Sequence, residues 1–80
     1  MIALDPNNAW AYDNRGAARL HLQDYQGTIS DCTRAIELEP NRRSAYLNRG
    51  AAHLKLGDYQ KAIDDYTRAI AIAPKPEWIA

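Results

Sequence analysis

Apolar residues recur along this chain at the spacing of one face of a helix. In the second half of the chain they fall at i, i+3, i+4 and i+7, and they are Tyr59, Ala62, Ile63, Tyr66, Ala69 and Ile70. The equivalent positions in the first half are Tyr25, Thr28, Ile29, Cys32, Ala35 and Ile36. The pattern therefore predicts one amphipathic helix in each half of the chain.

A further helix is predicted ahead of each of these two, over about residues 8–22 and 42–56. Asn7 and Asn41 follow prolines, and we expect them to cap the two helices. An asparagine side chain can accept a hydrogen bond from a backbone N–H that has no partner in the first turn. The sequence thus predicts four helices in two pairs.

Turn residues separate the members of each pair. They are Gln23-Asp24 in the first half and Gly57-Asp58 in the second. Gly57 suits the left-handed conformation of a helix end, and Asp58 can cap the helix that follows. Pro40 and Pro74 end the second helix of each pair. Two helices joined by so short a turn pack antiparallel.

The whole pattern repeats at a fixed period. Pro6, Pro40 and Pro74 are equally spaced, and YDNRGAARLHLQDYQ from Tyr12 returns as YLNRGAAHLKLGDYQ from Tyr46. Self-similarity at a period of this length indicates a stacked-repeat architecture. Proteins of this kind mostly bind other proteins, because the fold provides a surface and no built-in catalytic pocket.

Two further features repeat at the same phase. Gly16 and Gly50 lie inside helices, where glycine costs about 1 kcal/mol relative to alanine, so we expect them to let paired helices approach closely. Arg15 and Arg49 each precede an aspartate at the same spacing, and these are Asp31 and Asp65. We predict an ion pair inside each unit, because a half-buried guanidinium needs a partner. The alternative for the two arginines is binding of phosphate or of an acidic peptide.

These landmarks resemble the tetratricopeptide repeat. Its aromatic, glycine, alanine and proline positions are matched by Tyr12 and Tyr46, Gly16 and Gly50, Ala35 and Ala69, and Pro40 and Pro74. Thr28, Cys32, Arg19 and His53 depart from the family pattern. The resemblance implies an all-α fold, a right-handed superhelical stack of antiparallel helix pairs (an α-solenoid). The units are 9–42 and 43–76, residues 1–8 are the tail of a preceding repeat, and residues 77–80 begin a following helix.

The resemblance also implies where a peptide of a partner protein would bind. In this family the first helices line a concave groove, and the corresponding residues are Trp10, Asp13, Asn14, Ala17, Leu20, His21, Ser44, Leu47, Asn48, Ala51, Leu54 and Lys55. An asparagine amide offers a donor and an acceptor to a peptide backbone, so Asn14 and Asn48 are the central candidates. The alternative is that both only bond to neighbouring side chains.

Chaperone-binding members of the family grip a terminal carboxylate with lysine, arginine and asparagine side chains. Asn48 fits the middle asparagine of that clamp, but Asp13 and Ala17 stand where a lysine and an asparagine are required. With Asn14 in the middle position, Ser44 and Asn48 replace the lysine and arginine. We therefore expect no carboxylate clamp within this chain.

The ends of the chain suggest a second function, self-association. The chain begins and ends in the middle of a repeat array, whose last apolar faces need caps. We expect end-to-end or swapped contacts to form homo-oligomers through Ile2, Leu4, Trp78 and Ile79. A peptide-binding module and a self-associating repeat segment, natural or engineered, are therefore the two functions that the sequence suggests.

Composition narrows the classes of partner. The chain is 46% hydrophobic and 25% charged, with a net charge of zero, and a nucleic-acid-binding protein normally shows a basic excess. No apolar run approaches the roughly 18 residues that span a bilayer. One cysteine in 80 residues suits a reducing compartment, so we expect the cytoplasm.

Few residues suggest chemistry. His21, His53 and Cys32 are the candidates, but the histidines fall at different phases of their helices, and Cys32 occupies a core position. No His pair at i, i+4, no CxxC and no glycine-rich phosphate loop occurs in the sequence. We expect neither enzymatic activity nor a metal or other cofactor.

Overall fold

Four helices make up the described part of the computed structural model, which covers residues 7–72. They are α1 (Ala9–His21), α2 (Tyr25–Leu38), α3 (Arg43–Lys55) and α4 (Tyr59–Ala71). The expectations for residues 1–6 and 73–80 lie outside the described residues, and these include the self-association residues Ile2, Leu4, Trp78 and Ile79. The division into units 9–42 and 43–76, with a tail at 1–8 and a new helix at 77–80, stays a prediction.

The helix N-termini differ from the sequence prediction. Asn8, not Asn7, caps α1, and its side chain accepts a hydrogen bond from the backbone N–H of Ala11 at 3.1 Å. Arg42, not Asn41, stands at the cap of α3, and it makes no side-chain cap hydrogen bond. The prediction for Asn7 and Asn41 is therefore wrong, because the cap position of each helix falls on the residue that follows the asparagine.

The turns inside each pair have equivalent backbones with different residues. Gly57, in the turn that follows α3, has a φ of 82°, and Gln23, at the equivalent place after α1, has a φ of 65°. Glycine adopts this left-handed region freely, whereas for other residues it costs about 1 kcal/mol or more. Asp24 and Asp58 then cap α2 and α4 by accepting hydrogen bonds from Gly27 and Lys61. The predicted role of Asp58 is confirmed.

The helices form two stacked pairs. α1 packs on α2 and α3 packs on α4, while α3 also contacts both α1 and α2. Of the described helices, α4 contacts only α3. This arrangement confirms the all-α fold, and it makes α3 the element that joins the two repeats.

Close approach within each pair depends on glycine. A Cβ on Gly16 would lie 2.9 Å from the Sγ of Cys32, and a Cβ on Gly50 would lie 3.2 Å from both the Cβ of Asp65 and the Tyr66 ring. These distances are shorter than ordinary van der Waals contacts. The packing role predicted for the two glycines is therefore confirmed.

Small residues form the core, because the close approach of the paired helices leaves little space between them. The core cluster consists of Ala9, Cys32, Ala35 and Ala45, with Tyr12, Ile36 and Leu38 packed against it. Thr28 is also fully buried, and its hydroxyl oxygen lies 3.0 Å from the backbone oxygens of both Gly16 and Asp24. The core thereby packs α1 and α3 against α2.

Candidate functional site

A buried carboxylate joins the first helices of the two repeats. Asp13 on α1 is only 4% exposed. Its Oδ1 accepts a hydrogen bond from the Nδ2 of Asn48 at 3.0 Å, and its Oδ2 accepts from the hydroxyl of Ser44 and from the Nη1 of Arg42 at 3.4 Å. Serine and asparagine come from α3 and the arginine from its cap position. The network therefore fixes the spacing of α1 and α3.

The network brings together three of the residues expected in the groove, namely Asp13, Ser44 and Asn48. Asn48 bonds to the neighbouring side chain of Asp13, which is the alternative to ligand binding that the sequence left open. The side chain of Asn14, by contrast, is exposed and makes no hydrogen bond within residues 7–72. Sequence reasoning missed Arg42. Its guanidinium bridges Asp13 and the Oε2 of Glu39, the latter at 2.8 Å.

The other expected groove residues lie on α1 and α3. Those on α1 run from half-buried to exposed: Ala17 and Leu20 are half-buried, and Trp10 and His21 are exposed. Those on α3 do the same: Leu47 and Ala51 are half-buried, and Leu54 and Lys55 are exposed. We refer to this set, with Asn14 and Asn48, as the α1/α3 face.

The predicted ion pairs form in both repeats. Arg15 donates to both oxygens of Asp31 at 2.8 and 2.9 Å, and Arg49 donates to both oxygens of Asp65 at 2.7 and 2.9 Å. Such two-bond pairs are geometrically specific. Each aspartate raises the pKa of its arginine through these hydrogen bonds. The prediction of a structural pair within each unit is confirmed.

The surroundings of the two pairs differ at one position. Arg19 places a second guanidinium on Asp31, with its Nη1 2.9 Å from Oδ2. The equivalent residue in the second repeat is His53, whose Nε2 lies 3.8 Å from Asp65 Oδ2. Arg49 instead reaches across the repeats, and its Nη1 donates to Thr33 on α2 at 3.2 Å. The second pair thus links α2, α3 and α4.

The residues that suggested chemistry are separated. Cys32 is fully buried, and burial raises the pKa of its thiol to about 12, with further contributions from the charges of Asp13 and Asp31. His21 is exposed at the end of α1, and His53 lies beside Asp65. Residues 7–72 contain no group of three or more His, Cys, Asp or Glu side chains that could hold a metal ion. These side chains form no shared site.

Two clefts open elsewhere on the surface. One of about 700 Å³ follows the α2–α3 loop from Leu38 to Ser44. The other, of about 350 Å³, is lined by Ile29, Thr33, Arg49, His53, Lys61, Asp64 and Asp65. Ser44 alone among the expected groove residues lines either cleft. Neither of these two clefts is lined by residues of the α1/α3 face. None of the helices within residues 7–72 is long and apolar enough to span a membrane.

Comparisons with known proteins agree with this architecture. The family model of the tetratricopeptide repeat matches residues 44–76. The TPR domain of Arabidopsis OM64 is similar in structure, with a TM-score of 0.82, 37% identity and coverage of 88% of this chain and 58% of that one. The second TPR of Spaghetti (RPAP3), bound to the HSP90 peptide SRMEEVD, has a TM-score of 0.82 and 34% identity over 85% of this chain and 59% of that one.

The chain thus spans less than two thirds of the length of these two structures. A comparison with curated proteins finds no significant match. Proteins of this fold are generally interaction modules without catalytic activity. The repeat match, the paired helices and the two similar structures lead to one conclusion: residues 44–76 match a tetratricopeptide repeat, and the described helices have the fold of TPR domains.

Proposed function

We propose that the α1/α3 face binds an extended peptide segment of a partner protein. The observation that carries this proposal is the Asp13 network, because it joins α1 and α3 into a single surface. Trp10, Asn14 and Leu54 are exposed on that surface. An exposed aromatic and aliphatic side chain beside an amide offers both apolar contact and hydrogen bonds to a ligand.

Asn48 is positioned for this role by Asp13. One N–H of its amide is occupied by the aspartate, which fixes the orientation of the group. The second N–H and the carbonyl oxygen remain available, so the side chain can still donate to and accept from a peptide backbone. Asn14 offers a second amide one repeat earlier. A pair of amides at equal repeat positions suits a ligand whose backbone is extended along both helices.

The charges of the face favour a neutral or acidic ligand. Asp13 is buried and already paired, whereas Lys55 is exposed at the end of α3. The similar Spaghetti structure holds the acidic peptide SRMEEVD, which supports a peptide ligand of this kind. Asp13 occupies the place where a carboxylate clamp needs a lysine. We therefore propose that recognition here does not require the terminal carboxylate.

We also propose a cellular compartment for this interaction. The one cysteine of the chain is unpaired and buried, which supports the proposal that the interaction takes place in the cytoplasm. The peptide contacts proposed for Asn14 and Asn48 involve no cofactor and no chemical reaction.

A peptide array tests the proposal. It carries SRMEEVD, its amidated form and a set of unrelated sequences of different charge, and it is probed with the unaltered chain and with Asn14→Ala. Asn14 is the best position to change because its side chain supports no other described residue. Ser30→Ala is the matched control, since Ser30 is exposed on α2.

We expect a subset of peptides to bind, with free and amidated termini equal, and Asn14→Ala to weaken binding about tenfold while Ser30→Ala leaves it unchanged. A tenfold change corresponds to about 1.4 kcal/mol, which is the size of one hydrogen bond. Equal binding by all three proteins would remove Asn14 from the site and would contradict a ligand held by the two amides.

A further inference from the structure

The outer face of α4 carries large apolar side chains that no described helix covers. Tyr59, Ile63 and Ile70 are 64%, 56% and 72% exposed. They share one side of the helix, because they are spaced by four and seven positions. α3 is the single described helix that contacts α4, and it packs on a different side, against Ala62, Asp65 and Ala69. We call the uncovered residues the α4 face.

The first repeat shows what normally covers this face. Tyr25, Ile29 and Ile36 stand at the equivalent positions of α2, and all three are half-buried. Here α3 packs against α2. The contact includes a specific hydrogen bond, from the Nη1 of Arg49 to the hydroxyl of Thr33. The chain therefore contains its own template for a helix docked on an α4-like face.

α1 carries residues of the same types as those that α3 uses in that contact. In α1, however, these residues are more exposed than in α3. Ala45 and Ala52 of α3 are fully buried, whereas the equivalent Ala11 is half-buried and Ala18 is exposed. The side chain of Arg49 is 21% exposed, and that of Arg15 is 45% exposed. Each of these α1 residues would be covered if α1 docked on a helix as α3 docks on α2.

We infer that copies of this chain associate head to tail, with α1 of one copy on the α4 face of the next. Two surfaces that no described helix covers then complete each other, continuing the α2–α3 interface into the next copy. Arg15 of one copy reaches Thr67 of the next, as Arg49 reaches Thr33. Thr67 is exposed and stands at the position equivalent to Thr33 in the second repeat, so the required acceptor is present.

The first helices also match at the new junction. Within the chain, Asp13 meets Ser44 and Asn48. At the junction between copies, the equivalents are Trp10 and Asn14 on α1 of one copy and Leu47 on α3 of the next. Leu47 is half-buried and Trp10 is exposed, so an apolar contact takes the place of the polar one. Both sides of the junction between copies therefore differ from the internal junction in a complementary way. This favours a second copy of the chain as the partner that covers the α4 face.

Head-to-tail contacts leave one free surface of each kind at the two ends. Such a heterologous interface does not close into a dimer, and it grows into open chains unless the rotation closes a ring. Sedimentation equilibrium of the full chain, from micromolar to millimolar concentration, therefore tests the inference. We expect the average mass to rise with concentration from 9.0 kDa to beyond twice that value. A constant monomer mass, or a plateau at the dimer, would overturn it.

A pair of variants on α4 locates the interface. Ile70→Glu places a charge on the α4 face, and Ala71→Glu places the same charge beside it. Glu is the natural residue at the position equivalent to Ala71, which is Glu37, so the second variant is a matched control. Circular dichroism verifies that both remain helical. We expect Ile70→Glu to stay monomeric while Ala71→Glu associates as the unaltered chain does. An equal response of the two would overturn the inference.

Copying the internal junction tests the register. Leu47→Asp alone sets a carboxylate against Trp10 and should abolish association. The double variant Leu47→Asp/Trp10→Ser recreates the Asp–Ser–Asn set of the internal junction, because Asn14 is already present. We expect the double variant to recover association. If it stays monomeric, α1 does not dock in the proposed register. Peptide binding by Asn14→Ala is measured independently, so failure here leaves the proposed function standing.

Discussion

Asn48 donates a hydrogen bond from its Nδ2 to the Oδ1 of Asp13, and this 3.0 Å bond connects α3 to α1 through two residues that are 35 positions apart in sequence. Asp13 is buried, whereas Asn48 is half-buried and lies nearer the surface. A buried carboxylate without donors is costly. The bond therefore stabilises the junction between the repeats and fixes the orientation of the Asn48 amide.

Removing either member of this pair should destabilise the protein. We expect Asp13→Ala and Asn48→Ala each to lower the free energy of unfolding by about 1–3 kcal/mol, because a buried polar contact is lost. The double variant should lose less than the sum, with a coupling of about 1 kcal/mol. Urea denaturation measures all three.

Asn14→Ala is the control, since it changes the same residue type at an exposed position and should cost less than about 0.5 kcal/mol. Strict additivity of Asp13→Ala and Asn48→Ala would mean that the bond does not stabilise the junction.

The second repeat should depend on its arginine more than the first. Arg49→Ala leaves Asp65 with His53 at 3.8 Å as its remaining ionisable partner, whereas Arg15→Ala leaves Asp31 bonded to Arg19 at 2.9 Å. We expect a loss of about 3 kcal/mol for Arg49→Ala, as for a broken buried pair, and about 1 kcal/mol for Arg15→Ala. Thermal and urea denaturation provide the comparison.

Transplanting Arg19 into the second repeat tests the reason for the difference. The variant His53→Arg in the Arg49→Ala background supplies the guanidinium that Arg19 gives to Asp31, and it should recover about 1 kcal/mol. Equal losses for Arg15→Ala and Arg49→Ala, with no recovery on adding His53→Arg, would contradict this explanation.

Residues that repeat were predictable, and residues that do not repeat were less so. The pairs Arg15–Asp31 and Arg49–Asp65 could be predicted because both members recur with the same spacing, which reports a contact inside the unit. Asp13 does not recur, since Leu47 stands at its equivalent position. Two of its partners, Ser44 and Asn48, belong to the next repeat, so sequence spacing within one unit carries no signal of them.

The helix caps illustrate the same limit on a local scale. Asn7 and Asn8 are adjacent and chemically identical, so propensity alone does not choose between them. The choice falls on Asn8 because its side chain reaches the N–H of Ala11. At α3, Arg42 is drawn to Asp13 and Glu39 by charge. The start of this helix is therefore decided by tertiary contacts rather than by a capping side chain.

Gly16 and Cys32 should behave as a coupled pair. A Cβ on residue 16 would lie 2.9 Å from the Cys32 Sγ, so Gly16→Ala should destabilise by about 1–3 kcal/mol through overpacking, in spite of its better helix propensity. Adding Cys32→Ala removes the obstructing sulfur. We expect the double variant to recover at least about 1 kcal/mol relative to additivity in a urea double-mutant cycle.

Gly50 provides the matched test, because a Cβ there would meet Asp65 and the Tyr66 ring instead of a sulfur. Cys32→Ala should therefore give Gly50→Ala no recovery. A similar recovery for both glycines would show that the coupling comes from general loosening of the core.

Stability should fall at alkaline pH through Cys32. The thiol has a pKa of about 12 in the folded chain, raised by burial from an ordinary value of 9.0. Between these values the folded state holds a proton that the unfolded state has lost, so raising the pH favours unfolding. The contribution of this thiol is constant below about pH 8, and above pH 9 it should decline by about 1.4 kcal/mol per pH unit.

The comparison protein for this effect is Cys32→Ala, which has no thiol to titrate. Tyrosines and lysines titrate in both proteins, so the difference between the two isolates Cys32. Urea midpoints at pH 7, 9 and 10 should show the advantage of the unaltered chain shrinking only above pH 9. Parallel curves over this whole range would contradict the burial of a neutral thiol.

Mapping by NMR shows which face of the protein binds the peptide, and we expect it to be the α1/α3 face. Backbone amide shifts of the labelled chain are followed while the strongest peptide from the array is added, at a protein concentration where the chain is monomeric. We expect shift changes at Trp10, Asn14, Asn48 and Leu54, with α2 and α4 unchanged. Changes confined to Tyr59, Ile63 and Ile70 on α4, with α1 and α3 unaffected, would contradict it.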